Sequence, residues 1–256
     1  MRRPLILLLL AAACQSAPAD LPTPALPAPA PAQRALLSHE ILLTGGATED
    51  QALPLLVAVH GMGSRPERFA GAFTGLDVPA RVILPMALHP TASGGGSWFA
   101  FRRQDPDREG FGQRVHAAAE DVVALADWAE DRYPTLGEPV ITGFSQGGMV
   151  SFAVAVGWPD HIAAALPVGG DLALSLVPEQ APDDAPPVIA FHGVADTVVP
   201  IEPVILAVEA LRGAGYDAAL HSYEQVGHEI SPAMRQAWQA ALVEQLRAEA
   251  LEVSAE

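Results

Sequence analysis

The 256-residue chain contains no lysine, no asparagine, a single cysteine and only 6% aromatic residues. One cysteine closes no intramolecular disulfide and builds no thiolate metal site. All 14 basic residues are arginine, and 30 acidic residues stand against them, for a net charge of −16. That balance argues against a nucleic-acid partner, because neutralising phosphate supplies most of such affinity. Long hydrophobic runs are lacking too. The most apolar stretch, residues 5–13, is far shorter than the roughly 20 residues a membrane-spanning helix needs. There is no H-E-x-x-H: His228-Glu229-Ile230-Ser231-Pro232 breaks that pattern, which removes the zincin class.

What is present begins at the amino end. Residues 1–14 read MRRPLILLLLAAAC, with Arg2 and Arg3 as a positive region ahead of the short apolar stretch. This is the layout of an export signal over residues 1–13. Small residues before a cysteine resemble a bacterial lipoprotein signal, which implies a lipidated Cys14 as the first mature residue. Ala11-Ala12-Ala13 also fits an A-x-A site whose cleavage releases a soluble protein. Both readings place the protein outside the bacterial cytoplasm, as a membrane-anchored lipoprotein or else periplasmic or secreted. Any membrane contact is then through the lipid alone. Residues 14–33 follow as a Pro- and Ala-rich tether; from Gln15 to Gln33 they hold six prolines and no hydrophobic periodicity. As polyproline II, at 3.1 Å per residue, this stretch reaches at most roughly 60 Å. A catalytic domain is expected over 34–256.

Within that domain short apolar runs alternate with helical patterns, the signature of βαβ units and a mostly parallel sheet. Strands are expected at 35–43, 53–59, 82–84, 140–142, 163–168, 188–191 and 218–223, and helices at 108–132, 146–156, 202–214 and 232–250. Val115, Ala119, Val122, Ala126 and Ala129 share one face of the first helix, leaving Glu120, Asp121, Asp127, Glu130 and Asp131 as a solvated face. The helix at 146–156 is apolar nearly all round, which predicts burial in the centre of the fold. Ser231 followed by Pro232 marks the start of the last helix.

The chemistry concentrates at Val140–Gly148, VITGFSQGG. Gly143-Phe144-Ser145-Gln146-Gly147 fits G-x-S-x-G, a serine on a sharp turn between a strand and a helix, where small neighbours let the backbone fold back. A serine hydroxyl needs a base, and the base needs an orienting acid. In the order Ser, Asp, His, the chain offers Asp196 in FHGVADTVVP and His228 in EQVGHEISP. Competing acids are Asp171, Asp183, Asp184 and Glu202; competing bases are His161, His192 and His221. Two main-chain N–H groups are needed for an oxyanion. Gln146, next to the serine, supplies one, and Met62 in VAVHGMGS the other. These segments all fall at expected strand ends, where open α/β sheets build their sites.

GFSQGG, HGVADTVVP and GHEISP, in that order, resemble the phospholipase/carboxylesterase family of α/β-hydrolases, which includes acyl-protein thioesterases. The resemblance covers most of residues 52–245. It implies an α/β-hydrolase fold, no cofactor or metal, and a small-molecule ester or thioester substrate. The triad it implies is Ser145, Asp196 and His228, with Met62 and Gln146 as oxyanion donors. Family members carry Trp-Phe-Asp or Trp-Tyr-Asp beside the acyl pocket; here Trp98-Phe99-Ala100 follows three glycines, so Trp98 and Phe99 are expected at the pocket with the Asp missing. Only 19 residues lie between the expected strands ending at 168 and starting at 188, which leaves a loop rather than a large cap.

Overall fold

Seven strands form one sheet in the order β1-β3-β2-β6-β7-β8-β9, built from β1 (His39–Thr44), β2 (Leu55–Val59), β3 (Ala80–Pro85), β6 (Val140–Phe144), β7 (Ala164–Val168), β8 (Val188–Gly193) and β9 (Ala218–Tyr223). Every pairing is parallel except that of β1, which runs antiparallel to β3 along one edge. This computed structural model describes residues 36–100 and 108–252, without the side chains of residues 108, 109 and 252. The expected export signal, Cys14, the expected tether and the first residues of the expected domain lie outside the described residues.

The central strands are apolar without alternation because both their faces are covered. Leu55, Val57 and Val59 of β2 pack into one core, while Leu56 and Ala58 pack into the other. The first core lies under α2 (Arg108–Arg132), α3 (Gln146–Gly157) and α4 (Ile201–Ala214); α1 (Pro66–Ala70) and α5 (Pro232–Glu252) cover the second. All of α3 from Gln146 to Ala155 is buried, as its all-round apolar sequence requires. The five expected inward residues of α2 are buried as well. On its opposite face Glu130 departs from a plain solvated carboxylate. Partial burial, with Glu138 and Asp127 nearby, pushes its pKa up to about 7.

Ser231 caps α5, accepting from the main-chain N–H of Met234 at 3.3 Å. Trp238 then fixes that helix to the sheet, its indole N–H donating to Thr142 Oγ1 at 2.9 Å from a fully buried position. The expected strands and helices are present with ends shifted by a few residues. Two features had no sequence counterpart: the five-residue α1, and a two-stranded hairpin of β4 (His89–Pro90) and β5 (Gly96–Ser97). Between β7 and β8 the chain makes only a single 3₁₀ turn, Leu174–Leu176.

The topology also fixes where a site can form. From β2 the chain passes to β3 on one side, and later places β6 on the other side. The crevice at the carboxyl ends of β2 and β6 is therefore the switch point of the sheet.

Candidate active site

Ser145 stands at that switch point, between the end of β6 and the start of α3. Its φ of 58° and ψ of −117° put a non-glycine residue in a sparsely populated region. The turn is held on both sides. Ser145 N donates to Val168 O at 2.9 Å, and Met149 N donates to Ser145 O at 3.0 Å. The flanking glycines are required by space: a Cβ on Gly147 would overlap the Val59 carbonyl, and one on Gly143 would overlap that of Gly147. The motif is thus the sequence trace of a helix start pressed onto a neighbouring strand.

His228 and Asp196 reach the serine from two other loops. His228 Nε2 lies 2.9 Å from Ser145 Oγ, and its Nδ1 lies 2.6 Å from Asp196 Oδ2. With the carboxylate ionised, Nδ1 carries the ring proton and Nε2 is free to accept from the serine hydroxyl. Asp196 is itself fixed, because its Oδ1 accepts from the N–H groups of Val198 (2.8 Å) and Val199 (2.9 Å). Main-chain bonds from Ala195 N to Val226 O and from Val194 N to Tyr223 O, both 2.9 Å, tie the acid loop to the segment before the histidine. The Phe144 ring packs against the His228 imidazole at 4.9 Å between centroids.

Of the competing residues, His161, His192, His221, Asp183, Asp184 and Glu202 do not join this chain of bonds. His161 pairs with Asp127 at 2.9 Å, and His221 stacks on Phe191 at 5.0 Å. Asp183, Asp184 and Glu202 are exposed. His192 comes nearest: its Nε2 is 3.6 Å from Asp196 Oδ2, yet it donates to Val199 O at 2.8 Å. Burial pushes its pKa down and keeps it neutral, and this holds Val199, one of the donors to Asp196.

Met62 lies in the loop after β2, with its side chain exposed. Among the described residues, the N–H groups of Met62 and Gln146 donate to no main-chain carbonyl. Gly61 brings the Met62 loop against the serine, since a Cβ there would come within 3.3 Å of Ser145 Cβ. Two unengaged donors beside a serine hydroxyl are what an oxyanion requires.

The support beneath that loop was not anticipated from the sequence. Gly63 N donates to Gly96 O, and Gly96 N to Ser64 O, each at 2.8 Å, so the hairpin braces the loop. The Gly94-Gly95-Gly96 run is its signal, since a Cβ on Gly95 would overlap the Gly63 carbonyl. His60, fully buried, donates from Nδ1 to Gly61 O at 2.8 Å and accepts from Ala87 N at 3.3 Å. Burial holds its pKa below the ordinary histidine range, as a neutral strut requires. The Gln146 side chain has a further role. Its Oε1 accepts from Trp98 N at 3.0 Å, and its Nε2 donates to Phe99 O at 3.0 Å.

Trp98 and Phe99 are themselves buried, at 5% and 3% exposure. The Trp98 indole donates to His60 O at 2.7 Å, and Phe99 packs edge-on to Phe111 at 5.8 Å. Neither lines the open cavity of about 460 Å³ above the serine, whose walls include Gly61, Met62, Ser145, His228, Arg68 and Arg235.

Similarity to known proteins agrees with this architecture. Over 98 residues the chain is 37% identical to acyl-protein thioesterase 1 of Gibberella zeae, covering 36% of this chain and 42% of that protein. Over 105 residues it is 34% identical to a poly(3-hydroxyoctanoate) depolymerase of Pseudomonas fluorescens, covering 38% of each. The matches thus span less than half the length of either relative. The fold is that of solved structures such as esterase PE8 (TM-score 0.70, 23% identity, 83% of this chain and 100% of that one). Acyl-protein thioesterase 2 of Zea mays is similar in fold (TM-score 0.63, 22% identity, 82% and 99%). The model of the phospholipase/carboxylesterase family matches residues 46–243. With most of its length matched and its sheet and helices in the α/β-hydrolase arrangement, the chain belongs to the phospholipase/carboxylesterase family, a family of hydrolases.

Proposed function

We propose that this protein is a serine carboxylesterase acting on short- to medium-chain carboxylic esters through an acyl-enzyme. The observation that carries the reading is the unbroken path from Asp196 Oδ2 through His228 to Ser145 Oγ, with steps of 2.6 and 2.9 Å. In the first half-reaction His228 Nε2 takes the hydroxyl proton as Ser145 Oγ bonds to the acyl carbon. The N–H groups of Met62 and Gln146 receive the oxyanion, and Asp196 stabilises the imidazolium. His228 then returns the proton to the departing alcohol as the ester C–O bond breaks. In the second half-reaction His228 deprotonates water, which attacks the acyl carbon, and Ser145 leaves with the proton.

A panel of p-nitrophenyl esters and acyl-CoA thioesters from C2 to C16 tests this. Wild type should turn over the shorter esters, and Ser145→Ala should lose about 10⁴- to 10⁶-fold in kcat. A wild type inert toward the whole panel contradicts the reading. The stretch shared with a thioesterase favours a second reading, thioester hydrolysis by the same residues. Its mark is a higher kcat/KM for acyl-CoA than for the ester of equal chain length.

The same proposal takes residues 1–13 as an export signal and Cys14 as a lipid anchor. Labelled palmitate should enter wild type and not Cys14→Ala; an unlabelled wild type contradicts the anchor.

A further inference from the structure

We infer that Arg68 and Arg235 form an anion subsite on the leaving-group side of the Ser145 cavity, selecting esters or thioesters whose alcohol or thiol part carries a phosphate or carboxylate. The inference rests on the serine-esterase reading for which side of the cavity is which. His228 must hand its proton to the departing atom, so the leaving group occupies the side of Ser145 on which His228 stands. His228 lines the cavity together with Glu229, Ile230 and Arg235 of α5, and Arg68 of α1 is in the same lining.

The two arginines differ in how they are held. The Arg235 Nη1 donates to Ala72 O at 3.1 Å and to Gly71 O at 3.3 Å, which fixes the guanidinium in place. Its Nη2 and Nε make no bond to protein among the described residues. Arg68 is exposed, and its side chain forms no hydrogen bond or ion pair there either. Among the described residues Glu229 is the one carboxylate in the same lining, and it is exposed. Among the lining side chains Arg68 and Arg235 outnumber Glu229 by one charge, and the Asp196 carboxylate is buried behind His228. In a chain of net charge −16 whose cations are all arginine, two of them line the serine cavity, and such a pair favours an anion there. A neutral leaving group gains nothing from that placement. The planar guanidinium engages two oxygens of one group at once, which both phosphate and carboxylate present.

Three butyrates with matched acyl groups provide the test: 4-(butyryloxy)phenyl phosphate, 4-(butyryloxy)benzoate and the neutral methyl 4-(butyryloxy)benzoate. The ratio of kcat/KM, anionic over neutral, cancels differences in acyl chemistry. That ratio should fall about tenfold in Arg68→Glu, and by a factor of about three to ten in Arg235→Gln. Arg68→Lys, which keeps the charge, should retain most of it. Arg247→Gln, beyond the cavity, should leave the ratio unchanged. Added salt should lower the wild-type ratio toward that of Arg68→Glu. The better of the two anionic esters identifies phosphate or carboxylate as the preferred group. Arg68 has no structural partner to lose, and thermal melts check that Arg235→Gln remains folded.

A second measurement does not depend on turnover. In Ser145→Ala, equilibrium binding of phenyl phosphate and benzoate should weaken about tenfold when Arg68→Glu is added. Should wild type hydrolyse none of the esters while these anions still bind through Arg68, the esterase reading falls and the subsite stands. Equal anion affinity with and without Arg68→Glu, or equal rate ratios in the two proteins, overturns the subsite.

Discussion

Replacing Asp196 by Asn tests the site through one atom. Asp196 Oδ1 accepts two main-chain N–H groups and Oδ2 accepts one imidazole N–H. The amide of Asn can keep only one of those faces as an acceptor. Turning its NH₂ toward Val198 and Val199 would leave two donors unpaired, at about 1–3 kcal/mol each. The carbonyl oxygen therefore stays with the main chain, preferred by at least about 2 kcal/mol, roughly thirtyfold. The NH₂ then faces His228 Nδ1, which must become the acceptor. The ring proton moves to Nε2, and an N–H points at Ser145 Oγ where a lone pair is needed. The imidazolium that forms during the reaction also loses its counter-charge. Together these should lower kcat by about 10⁴-fold. The fold should be nearly untouched, because both main-chain donors stay paired; a loss of about 1 kcal/mol is a Tm shift of about 2–4 °C. Steady-state hydrolysis of p-nitrophenyl butyrate beside a thermal melt measures both. An Asp196→Asn protein within tenfold of wild type would refute the reasoning, as would an inactive one that is largely unfolded.

Other outcomes follow from the same geometry. Gln146→Ala keeps its main-chain N–H but leaves Trp98 N unpaired and Phe99 O with the Ser97 hydroxyl alone, so a denaturant titration should show a loss of about 1–3 kcal/mol; an unchanged midpoint counts against the clamp. Gly147→Ala forces a methyl group onto the Val59 carbonyl, and should either abolish soluble folded protein or destabilise it by more than about 3 kcal/mol. Glu130 has a folded pKa raised from 4.5 to about 7. The folded state therefore holds that proton more tightly than the unfolded chain, and its contribution to stability is lost as pH rises from about 4.5 through 7. After discounting for its exposure, Glu130→Gln should gain about 1 kcal/mol at pH 8 and nothing at pH 4; equal effects at both pH values contradict the assignment.

The parts legible in the sequence share a physical cause. Strands buried on both faces must be apolar throughout, and α3, enclosed on every side, has to be apolar all round, so β2, β6, β7 and α3 announce themselves. The elbow is legible because Gly143 and Gly147 are sterically forced. The order of Ser145, Asp196 and His228 could be read because each follows a recognisable strand. What escaped depends on contacts between distant segments. A five-residue α1 and two-residue β4 and β5 carry too few residues for any periodicity. The brace between Gly63 and Gly96, and the Gln146 bonds to Trp98 and Phe99, join segments 33 to 48 residues apart. The pair Trp98-Phe99 reads the same whether it faces a cavity or a core; hydrogen bonds that Trp98 donates to His60 O and Gln146 Oε1 draw it inward. Glu130 looks like any exposed helical carboxylate until the fold partly buries it and sets Glu138 beside it.

The central claim is that Ser145 is the activated nucleophile. A fluorophosphonate phosphonylates a serine only where a base removes its proton and a hole accepts the phosphoryl oxygen. Intact-mass spectrometry of the treated protein, followed by peptide mapping, reads this out directly. Wild type should carry a single adduct on Ser145, Ser145→Ala none, and His228→Ala should label slowly. An unmodified wild type, or an adduct on any other residue, contradicts the claim.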